Sequence, residues 1–467
     1  MSMLTVINPA TGAVLQELPV DDSEAIAHKV AQAKAAQPEW AARPMSERID
    51  IIRQFNGLLT DHAESLAQQL TAEMGKPIKQ ARAEVGTTSS RIGYFLDQVA
   101  AVLATETVLH DPSLGLKEQI SHEPLGVIAN ISAWNYPFFV GSNVFIPALL
   151  AGNAVLYKPS EFASLTGLSI AQLMAEAGIP EGIFQAVIGT GQVGAELLTH
   201  PLNGVFFTGS YATGCKIAIA AAPHLMKVQL ELGGKDPVYV AEDVSVASVA
   251  PAVADGAFYN TGQSCCAVER IYVHEQVYEP FVDAFMATVR DFQVGDPTDE
   301  NTYIGSLARP AQVDFLKYQV EDALAKGAKL LCGGDPKGTG IAARLDRPGA
   351  FFAPTVLVNV DHSMSVMRDE SFGPIIGIQS VPDDSEALRL MQDTSYGLTA
   401  GIYTASEARA EAMLRQLNSG TVYWNCCDRV SPRLPWSGRG HSGIGLTLST
   451  YGIQTFTQPK AWHLRNG

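Results

Sequence analysis

Two adjacent cysteines, Cys265 and Cys266, stand in the stretch Asn260-Thr-Gly-Gln-Ser-Cys-Cys-Ala267, in a chain of 467 residues that contains 6 cysteines. A cysteine attacks a carbonyl as the thiolate, yet a free thiol titrates near ~8.5. Backbone amides at a turn, a helix N-terminus or a nearby cation could stabilise the thiolate, and Gly262 allows close backbone approach. Alternatively, both cysteines are small buried hydrophobic residues, as free cysteines usually are. The stretch alone is consistent with either interpretation.

Three other stretches carry groups that bind phosphate or ribose. Gly189-Thr-Gly-Gln-Val-Gly194 fits the G-x-G-x-x-G dinucleotide pattern but lacks the acidic residue expected about 20 positions later, so a plain strand-to-helix turn explains it equally well. Thr208-Gly209-Ser210 joins a predicted strand to a predicted helix at 212–221, where free amides and hydroxyls could bind a phosphate. Lys158-Pro-Ser-Glu161 could offer a cation and a carboxylate to a ribose, or could simply be solvated.

Two further stretches combine polar side chains with features of a binding site. Glu231-Leu-Gly-Gly-Lys235 ends a predicted strand, and its two glycines beside a carboxylate suggest a backbone that makes room for a ligand. Trp134-Asn-Tyr-Pro137 lies in an uncharged segment, where a buried asparagine amide needs hydrogen-bond partners or a function.

The elements that must position these residues follow from hydrophobic periodicity. The segment 21–104 is predicted to be helical, with breaks at Pro38, Pro44 and Gly75-Lys-Pro77. Strands are predicted at 126–130, 154–157, 184–188, 205–208 and 228–232, and a helix at 166–177. This alternation predicts an α/β fold with a parallel, doubly wound sheet. A second alternation runs from Pro237 to about 440, and the tail 456–465 is predicted to be an edge strand that needs a partner.

Composition narrows the class of protein. The length predicts two or three domains, and 46% hydrophobic residues are typical of a globular enzyme. The 32 basic and 48 acidic residues give a net charge of −16, which argues against nucleic acid and anionic membranes as partners. The cysteines form no disulfide framework, and the absence of Cys-x-x-Cys and His-Glu-x-x-His leaves a metal site without support. A cytoplasmic, reducing location is the expectation.

The uncharged segment between Glu123 and Lys158 is long enough to span a membrane. It contains asparagines and prolines that a lipid-facing helix tolerates poorly, and it is predicted to form a buried strand, a loop and a buried helix. The N-terminus has no signal-peptide pattern.

Together these motifs resemble the aldehyde dehydrogenase superfamily over nearly the whole chain. The matching stretches, in order, are Trp134-Asn-Tyr-Pro137, Lys158-Pro-Ser-Glu161, Phe207-Thr-Gly-Ser210, Glu231-Leu-Gly-Gly-Lys235, Gly262-Gln-Ser-Cys265 and Glu370-Ser-Phe-Gly-Pro374. The resemblance implies a Rossmann-type NAD-binding domain (1–105 and 125–233) and an α/β catalytic domain (234–440). A small oligomerisation β element would join 106–124 to 455–467 across a subunit interface, in a homodimer or homotetramer.

The resemblance also implies roles for the catalytic residues. Cys265 would be the nucleophile, with Cys266 lining the pocket beside it. Asn135 would donate its amide, with the Cys265 backbone N–H, to the oxyanion, and Glu231 would activate water. The implied activity is oxidation of an aldehyde to the acid through a thiohemiacetal and a thioester. Relatives that transfer the acyl group to coenzyme A tend to lack this glutamate, so its presence favours hydrolysis.

For the cofactor, the resemblance implies NAD, with NADP less favoured. Lys158 and Glu161 would hold the adenosine ribose, Ser210 the pyrophosphate, and Glu370 and Phe372 the nicotinamide end. The other cofactor-binding positions it implies are Trp134, Thr208, Gly209 and Leu232.

The substrate pocket implied by the resemblance is mostly apolar, which suits an aromatic or medium aliphatic aldehyde, with a semialdehyde as a further option. Its members are Tyr136, Val140, Cys266, Val430 and Trp436. Arg429 and Arg433, in the same loop, could bind a substrate carboxylate or face solvent or an interface.

Three positions depart from the family pattern. Gly440 stands where many relatives have a lysine, and a glutamate–lysine pair found in relatives is replaced by Thr447 and Val144. Loss of both partners costs less than loss of one, because a lone buried charge is the expensive state. The departures put the proton exit from Glu231 in doubt and leave the chemistry at Cys265 intact. A coenzyme A-acylating enzyme of the same fold and a non-catalytic relative remain the alternatives.

Overall fold

Two mixed sheets form the framework of the computed structural model, which describes residues 2–334 and 350–466. A six-stranded sheet has the order β17-β9-β8-β5-β6-β7, and a seven-stranded sheet has the order β12-β13-β14-β11-β10-β15-β16. The strands are β1 (Met3–Ile7), β2 (Val14–Pro19), β3 (Glu106–Asp111), β4 (Leu116–Pro124), β5 (Val127–Ile131), β6 (Ala154–Lys158), β7 (Phe184–Ala186), β8 (Gly204–Thr208), β9 (Lys227–Glu231), β10 (Pro237–Val240), β11 (Arg270–His274), β12 (Lys329–Cys332), β13 (Thr355–Val358), β14 (Ile375–Val381), β15 (Thr399–Tyr403), β16 (Thr421–Trp424), β17 (Gly443–Ile444) and β18 (Thr457–Arg465).

Helices alternate with these strands. They are α1 (Ser23–Ala42), α2 (Met45–Asp61), α3 (Ala63–Met74), α4 (Ile78–Val102), α5 (Pro137–Leu150), α6 (Ser164–Glu176), α7 (Gly191–Leu197), α8 (Tyr211–Ala221), α9 (Val246–Phe258), α10 (Tyr278–Asp291), α11 (Ala311–Ala325), α12 (Ser365–Arg368), α13 (Asp384–Gln392), α14 (Glu407–Leu414) and α15 (Ser449–Gln454). Pairing is parallel throughout both sheets except at β17–β9 and β12–β13. The predicted α/β class with parallel sheets is confirmed.

The uncharged segment forms β5, a loop and α5, as predicted. β5 and β6 are buried along their whole lengths, and α5 is buried at nearly every position. Parallel strands covered on both faces are typically continuous apolar runs, which explains the membrane-like composition. None of the helices in the described ranges is long and apolar enough to cross a membrane.

The helical N-terminal segment differs from its prediction at one proline. Breaks occur at Pro44 and at Gly75-Lys-Pro77, but α1 continues through Pro38. The last turn of α1 is held by tertiary contacts, because Trp40 is buried and its Nε1 donates to the Leu149 carbonyl at 3.0 Å. This anchoring compensates for the backbone hydrogen bond that a proline removes. Two further features were not predicted from the sequence. They are the break at His62 and the β1–β2 hairpin, in which little besides Val6 and Leu18 is buried.

The tail forms the predicted strand, β18, and pairs antiparallel with β4 of the same chain. Thr457 pairs with Pro124 and Arg465 with Leu116, and β3 completes a three-stranded sheet of order β18-β4-β3. All of β18 except its first residue is exposed. The domain boundaries and the oligomerisation role of this sheet stay predictions. Of the predicted domains, residues 1, 335–349 and 467 lie outside the described residues.

Truncation of the chain before Thr455 is expected to give smaller or insoluble particles. The truncation removes β18 and leaves the β4 edge unpaired, and an unpaired edge is a site of aggregation. Light scattering and an activity assay measure the outcome, and a control chain that ends at Arg465 keeps all of β18. Wild-type size and activity after the longer truncation would reject a role in assembly.

Candidate active site

The loop that carries the adjacent cysteines follows α9 through a strained turn. Asn260, Thr261 and Gly262 have φ values of 54°, 58° and 69°. An added Cβ at Gly262 would collide with the Gly373 backbone, so glycine is required both for conformation and for close approach. Positive φ at two non-glycine residues is uncommon and concentrates at functional sites. The turn directs the chain so that Cys265 is only partly buried.

The two cysteines have different surroundings. Cys266 is 4% exposed, and its Sγ donates to Asp428 Oδ1 at 3.0 Å. A hydrogen bond with the Cys265 side chain, together with burial, raises the pKa of the Cys266 thiol well above its usual value. Cys266 is therefore held as a protonated donor, whereas the Cys265 side chain lines open cavities on two sides.

Asn135 is fixed beside this loop. Its Nδ2 donates to the backbone carbonyl of Gln263 at 3.1 Å. Its backbone carbonyl accepts from Lys76 Nζ at 2.8 Å and from Asn260 Nδ2 at 3.2 Å. A side-chain amide has two N–H groups, so one remains to donate elsewhere. The Cys265 backbone N–H has no acceptor among the described residues. These two donors have the character of an oxyanion site.

A buried ion pair that the sequence analysis missed supports Asn135. Lys76 and Glu84 are fully buried and hydrogen-bonded to each other, and Glu84 Oε1 accepts the Phe138 N–H at 3.0 Å. Lys76 Nζ also lies 3.9 Å from the centre of the Tyr136 ring. Burial lowers the pKa of Lys76 and raises that of Glu84. The pair links the start of α4 to the loop before α5 and so fixes the Asn135 backbone.

Glu231 ends β9 inside the same cavity as Cys265. The residue is 5% exposed, and its Oε1 accepts hydrogen bonds from Thr447 Oγ1 and, at 3.1 Å, from Gln229 Nε2. Burial raises the pKa of Glu231 to about 7. A carboxyl group with this pKa can take and release protons near neutral pH. Thr447, which replaces one member of the glutamate–lysine pair of relatives, thus provides a hydroxyl group that binds Glu231.

Two cavities meet at Cys265. One runs along the carboxyl ends of β5, β6 and β8 and continues to Asn135, Glu370 and Phe372. The other, of about 340 Å³, contains Glu231, Tyr136 and the side chain of Cys266. Thr208 also lines both cavities. A ligand in each cavity would therefore meet its neighbour at the Cys265 thiol.

The first cavity has groups suited to a dinucleotide. Lys158 ends β6 with a buried side chain whose Nζ donates to the Pro159 carbonyl at 3.0 Å and lies 4.0 Å from Glu161 Oε2. Burial lowers the pKa of Lys158. Ser210 precedes α8 without a side-chain cap, so the first amides of that helix are available to an anion in the cavity beside Gly209. These donors, at the carboxyl ends of parallel strands, fit a nicotinamide dinucleotide.

The G-x-G-x-x-G stretch lies at the rim of this cavity. It forms the turn from β7 to α7, and Thr190 Oγ1 accepts from the Gln192 N–H at the helix start. An added Cβ at Gly194 would lie 3.3 Å from Lys158 Cδ. This glycine therefore makes room for the Lys158 side chain.

The end of the first cavity next to Cys265 is built around Glu370 and Phe372. Glu370 Oε1 accepts the Gly234 N–H at 3.0 Å, and an added Cβ at Gly233 would collide with this carboxyl group. Burial raises the pKa of Glu370 to about 8. Phe372, at φ 47°, packs edge-on against Trp134 with ring centres 5.5 Å apart. Leu232 lines the same end.

An ion pair behind this loop holds it in place. Lys235 Nζ lies 2.6 Å from Glu269 Oε2, and the carboxylate of Glu269 accepts the backbone N–H groups of Ser371 and Phe372. In the sequence Lys235 is only the end of a motif, and no motif points to Glu269.

The second cavity contains every residue of the expected substrate pocket. These residues are Tyr136, Val140, Cys266, Val430 and Trp436. Arg429 is exposed and lines the cavity, whereas Arg433 is exposed and is not among the lining residues. A further residue on the wall of the cavity, which none of the sequence motifs includes, is Arg91, a buried arginine of α4. The spacing of Gln80, Glu84, Thr87 and Arg91 could have identified it, because this spacing puts the four polar residues on one face of a helix.

The described residues contain no group of three or more His, Cys, Asp or Glu side chains that could hold a metal ion. All the cysteines are free thiols.

Comparison with known proteins gives one family. The sequence model described as the aldehyde dehydrogenase family matches residues 2–462. The chain is 34% identical to a succinate-semialdehyde dehydrogenase [NADP(+)] of Deinococcus radiodurans, over 97% of this chain and 93% of that protein. It is 32% identical to a chloroplastic betaine aldehyde dehydrogenase of Beta vulgaris, over 98% and 92% respectively. The solved structure of PnpE in complex with nicotinamide adenine dinucleotide aligns with a TM-score of 0.95 at 31% identity, covering 99% of this chain and 94% of that one.

Proposed function

The chain belongs to the aldehyde dehydrogenase family, and on that premise we propose that it oxidises an aldehyde to the carboxylic acid through a thioester on Cys265 that water then hydrolyses. One observation carries the proposal. The Cys265 thiol lies where the dinucleotide-type cavity meets the cavity that contains Glu231. A nucleophile, a hydride acceptor and a base for water are needed at one carbon, and this junction provides a site for all three.

In the first step the Cys265 thiolate adds to the aldehyde carbon, forming a C–S bond and a tetrahedral oxyanion. The second N–H of Asn135 and the Cys265 backbone N–H would donate to this oxyanion. Donors already fixed in position stabilise developing charge without reorganisation, and one such donor typically contributes about 100- to 1,000-fold in rate. The hydrogen bonds from Lys76 and Asn260 to the Asn135 carbonyl keep this residue in place.

A nicotinamide dinucleotide held beside Glu370 and Phe372 would supply the hydride acceptor for the carbon attached to sulfur, and that oxidation would leave a thioester on Cys265. Glu231 then removes a proton from a water that attacks the thioester carbon, and the C–S bond breaks to release the acid and the Cys265 thiolate. A base whose pKa is about 7 is half deprotonated near neutral pH. Thr447 and Gln229 hold Glu231 while it is unengaged.

Hydrolysis is preferred over acyl transfer to coenzyme A because Glu231 lies in the cavity where the thioester would form. An assay of NADH formation with a panel of aldehydes, with and without coenzyme A, tests this choice. We expect acid as the product and no increase in rate with coenzyme A. A strict requirement for coenzyme A would favour the acylating alternative, and no turnover with any aldehyde would favour a non-catalytic relative.

The substrate cavity suggests the size of the aldehyde. Its walls are largely aromatic and aliphatic at Tyr136, Val140, Val430 and Trp436, and they suit an aromatic or medium aliphatic chain. The Deinococcus relative is named for a semialdehyde, so we include that class. We also propose a homo-oligomer and, because the cysteines are free thiols, a reducing cytoplasmic location.

NAD is expected to exceed NADP by at least about tenfold in kcat/KM, which corresponds to ~1.4 kcal/mol. Glu161 lies beside Lys158 at the end of β6, where the adenosine ribose would bind. A carboxylate there accepts hydrogen bonds from ribose hydroxyls but repels a 2′-phosphate. Two unit charges about 4 Å apart cost about 1 kcal/mol in water and more in a shielded site.

The Glu161→Thr variant should narrow this preference, because it removes the repulsion and leaves the Lys158 ammonium to meet the phosphate. Steady-state kinetics with both cofactors measure the ratio. The Glu181→Thr change, at a charged residue that does not line the cavity, is the matched control. Equal kcat/KM for the two cofactors in the wild type, unaffected by Glu161→Thr, would show that Glu161 does not select the cofactor. The NADP(+)-dependent Deinococcus relative makes this a necessary test.

A further inference from the structure

Arg91 is a buried cation on the wall of the substrate cavity. It is 7% exposed, its Nη1 donates to Asn143 Oδ1 at 3.0 Å, and its guanidinium carbon lies 4.2 Å from the centre of the Phe139 ring. Arg91, Asn143 and Phe139 all line the cavity that contains Cys265 and Glu231. The guanidinium group thus has a fixed position and an open side.

The charge of Arg91 has no carboxylate partner within ion-pair distance in the described part of the chain. A guanidinium group has five N–H donors, and only one of those of Arg91 has an acceptor there. Burial lowers the pKa of Arg91 to about 10, which leaves the group protonated at neutral pH. An unpaired buried charge is an expensive feature, and buried charges are normally paired.

The acidic groups of the cavity are already engaged. Glu84 pairs with Lys76, and Glu231 accepts from Thr447 and Gln229. Asp428 accepts from Ser264 Oγ at 3.1 Å and from Cys266 Sγ. The charges of Glu231 and Glu84 raise the pKa of Arg91, but neither carboxylate is within ion-pair distance of it. No carboxylate of the described residues therefore binds the Arg91 guanidinium directly, and its remaining N–H groups are left for a ligand in the cavity.

The position of Arg91 along the cavity suits the far end of a substrate. Glu84 and Arg91 lie on one face of α4, seven residues or about 10 Å of helix apart. Glu84 is bound to Lys76, which contacts the Asn135 carbonyl at the oxyanion end. Arg91 is therefore about two helical turns beyond Glu84 along α4. The side-chain amide of Asn143, whose oxygen is taken by Arg91, can donate its N–H groups beside it.

We propose that Arg91, together with the Asn143 amide, binds an acid group at the end of the substrate remote from the aldehyde, so that the preferred substrates are aldehydes carrying a carboxylate. A guanidinium group matches a carboxylate in geometry and charge and can bind it through two hydrogen bonds. The apolar residues between the two ends accommodate the carbon chain or ring. This inference rests on the proposed aldehyde dehydrogenase activity and specifies its substrate class. A purely structural role, in which Arg91 only supports Asn143 and Phe139, is the alternative.

The test compares matched aldehydes with and without the acid group, such as 4-oxobutanoate with butanal and 3-carboxybenzaldehyde with benzaldehyde. The wild type should have the higher kcat/KM for the acid of each pair. Arg91→Met should lower kcat/KM for the acids by at least about 30-fold, mainly through KM, because a charge-assisted hydrogen-bonded pair is lost. Neutral aldehydes should lose kcat/KM by a clearly smaller factor, which reflects only the higher pKa of Glu231 once the Arg91 charge is gone, and Arg91→Lys should fall between. Arg433→Met, on an exposed arginine outside the cavity, is the control.

An equal loss for acid and neutral aldehydes in Arg91→Met would overturn the inference and indicate a structural role. A wild type that oxidises neutral aldehydes with no preference for acids would also overturn it, without touching the proposed activity. Oxidation of neither set with either cofactor would overturn the proposed function and the inference with it.

A second measurement does not depend on folding of the variant. Benzoate and butanoate should inhibit the wild type competitively with a neutral aldehyde, at concentrations at least about tenfold lower than benzamide and butanamide. Equal inhibition by acids and amides would contradict an anion site at Arg91.

Discussion

Replacement of Cys265 by alanine is expected to abolish aldehyde oxidation, with a loss of at least about 10⁴-fold in kcat, because no other group can form the thioester. Replacement of Cys266 by alanine should keep activity within about threefold. Cys265 is partly exposed at the junction of the two cavities. Cys266 is buried and donates a hydrogen bond to Asp428 as a protonated thiol, which makes it a poor nucleophile. The measurement is NADH formation under saturating aldehyde and cofactor.

The pair of variants is its own control, because the substitutions are identical and adjacent. Circular dichroism and elution volume should match the wild type for both. Loss of activity in Cys266→Ala together with retention in Cys265→Ala would show that Cys266, and not Cys265, is the nucleophile.

Replacement of Glu231 by glutamine is expected to separate the two halves of the reaction. Formation of the thioester needs the thiolate and the oxyanion donors, whereas hydrolysis needs the base. Rapid mixing with aldehyde and NAD should give a burst of up to one NADH per active site, followed by a steady rate at least about 100-fold below the wild type. Glutamine is nearly isosteric with glutamate, so the Thr447 and Gln229 contacts can be largely retained.

The rate of thioester hydrolysis should depend on pH through the protonation of Glu231. Burial raises the pKa of Glu231 to about 7, and only the deprotonated form removes a proton from water. The hydrolysis rate of the wild type should therefore rise with pH through about 7, and this rise should be absent in Glu231→Gln. Full steady-state turnover of that variant at neutral pH would remove Glu231 from the mechanism.

The sequence predicted the order of strands and helices well because apolar runs and glycine or proline breaks are local signals. The uncharged segment that forms β5 and α5 is the clearest example. The break predicted at Pro38 was wrong because the prediction used only local signals. The contact that keeps α1 intact joins Trp40 to Leu149, which is distant in sequence. The β1–β2 hairpin was missed because most of its side chains are exposed and carry little pattern.

The groups expected to contact the ligands came from short motifs, and the structure brings them around two adjoining cavities. The groups that hold them did not come from motifs. Lys76 was seen only as part of a helix break, although its ammonium binds the Asn135 carbonyl. Glu269 supports the Phe372 loop from a position about 100 residues earlier. Such contacts depend on the folded chain and leave no spacing in the sequence to find.

The role of Thr447 could not be predicted from the sequence. The sequence indicated a lost charge, whereas the folded chain shows a hydroxyl that binds Glu231 directly. Backbone pairing of Thr447 with Trp436 holds it there. Arg91 became notable only when its neighbours were seen, because a lone arginine on a long helix is usually solvated.

The most direct test of the account is the mass of the trapped acyl-enzyme. Glu231→Gln/Cys266→Ala protein, treated with aldehyde and NAD and then quenched in acid, should gain the mass of one acyl group per chain. Glu231→Gln/Cys265→Ala protein, treated identically, should gain none. An acyl adduct on the variant that lacks Cys265, or none on the variant that keeps it while NADH is formed, would contradict a thioester on Cys265.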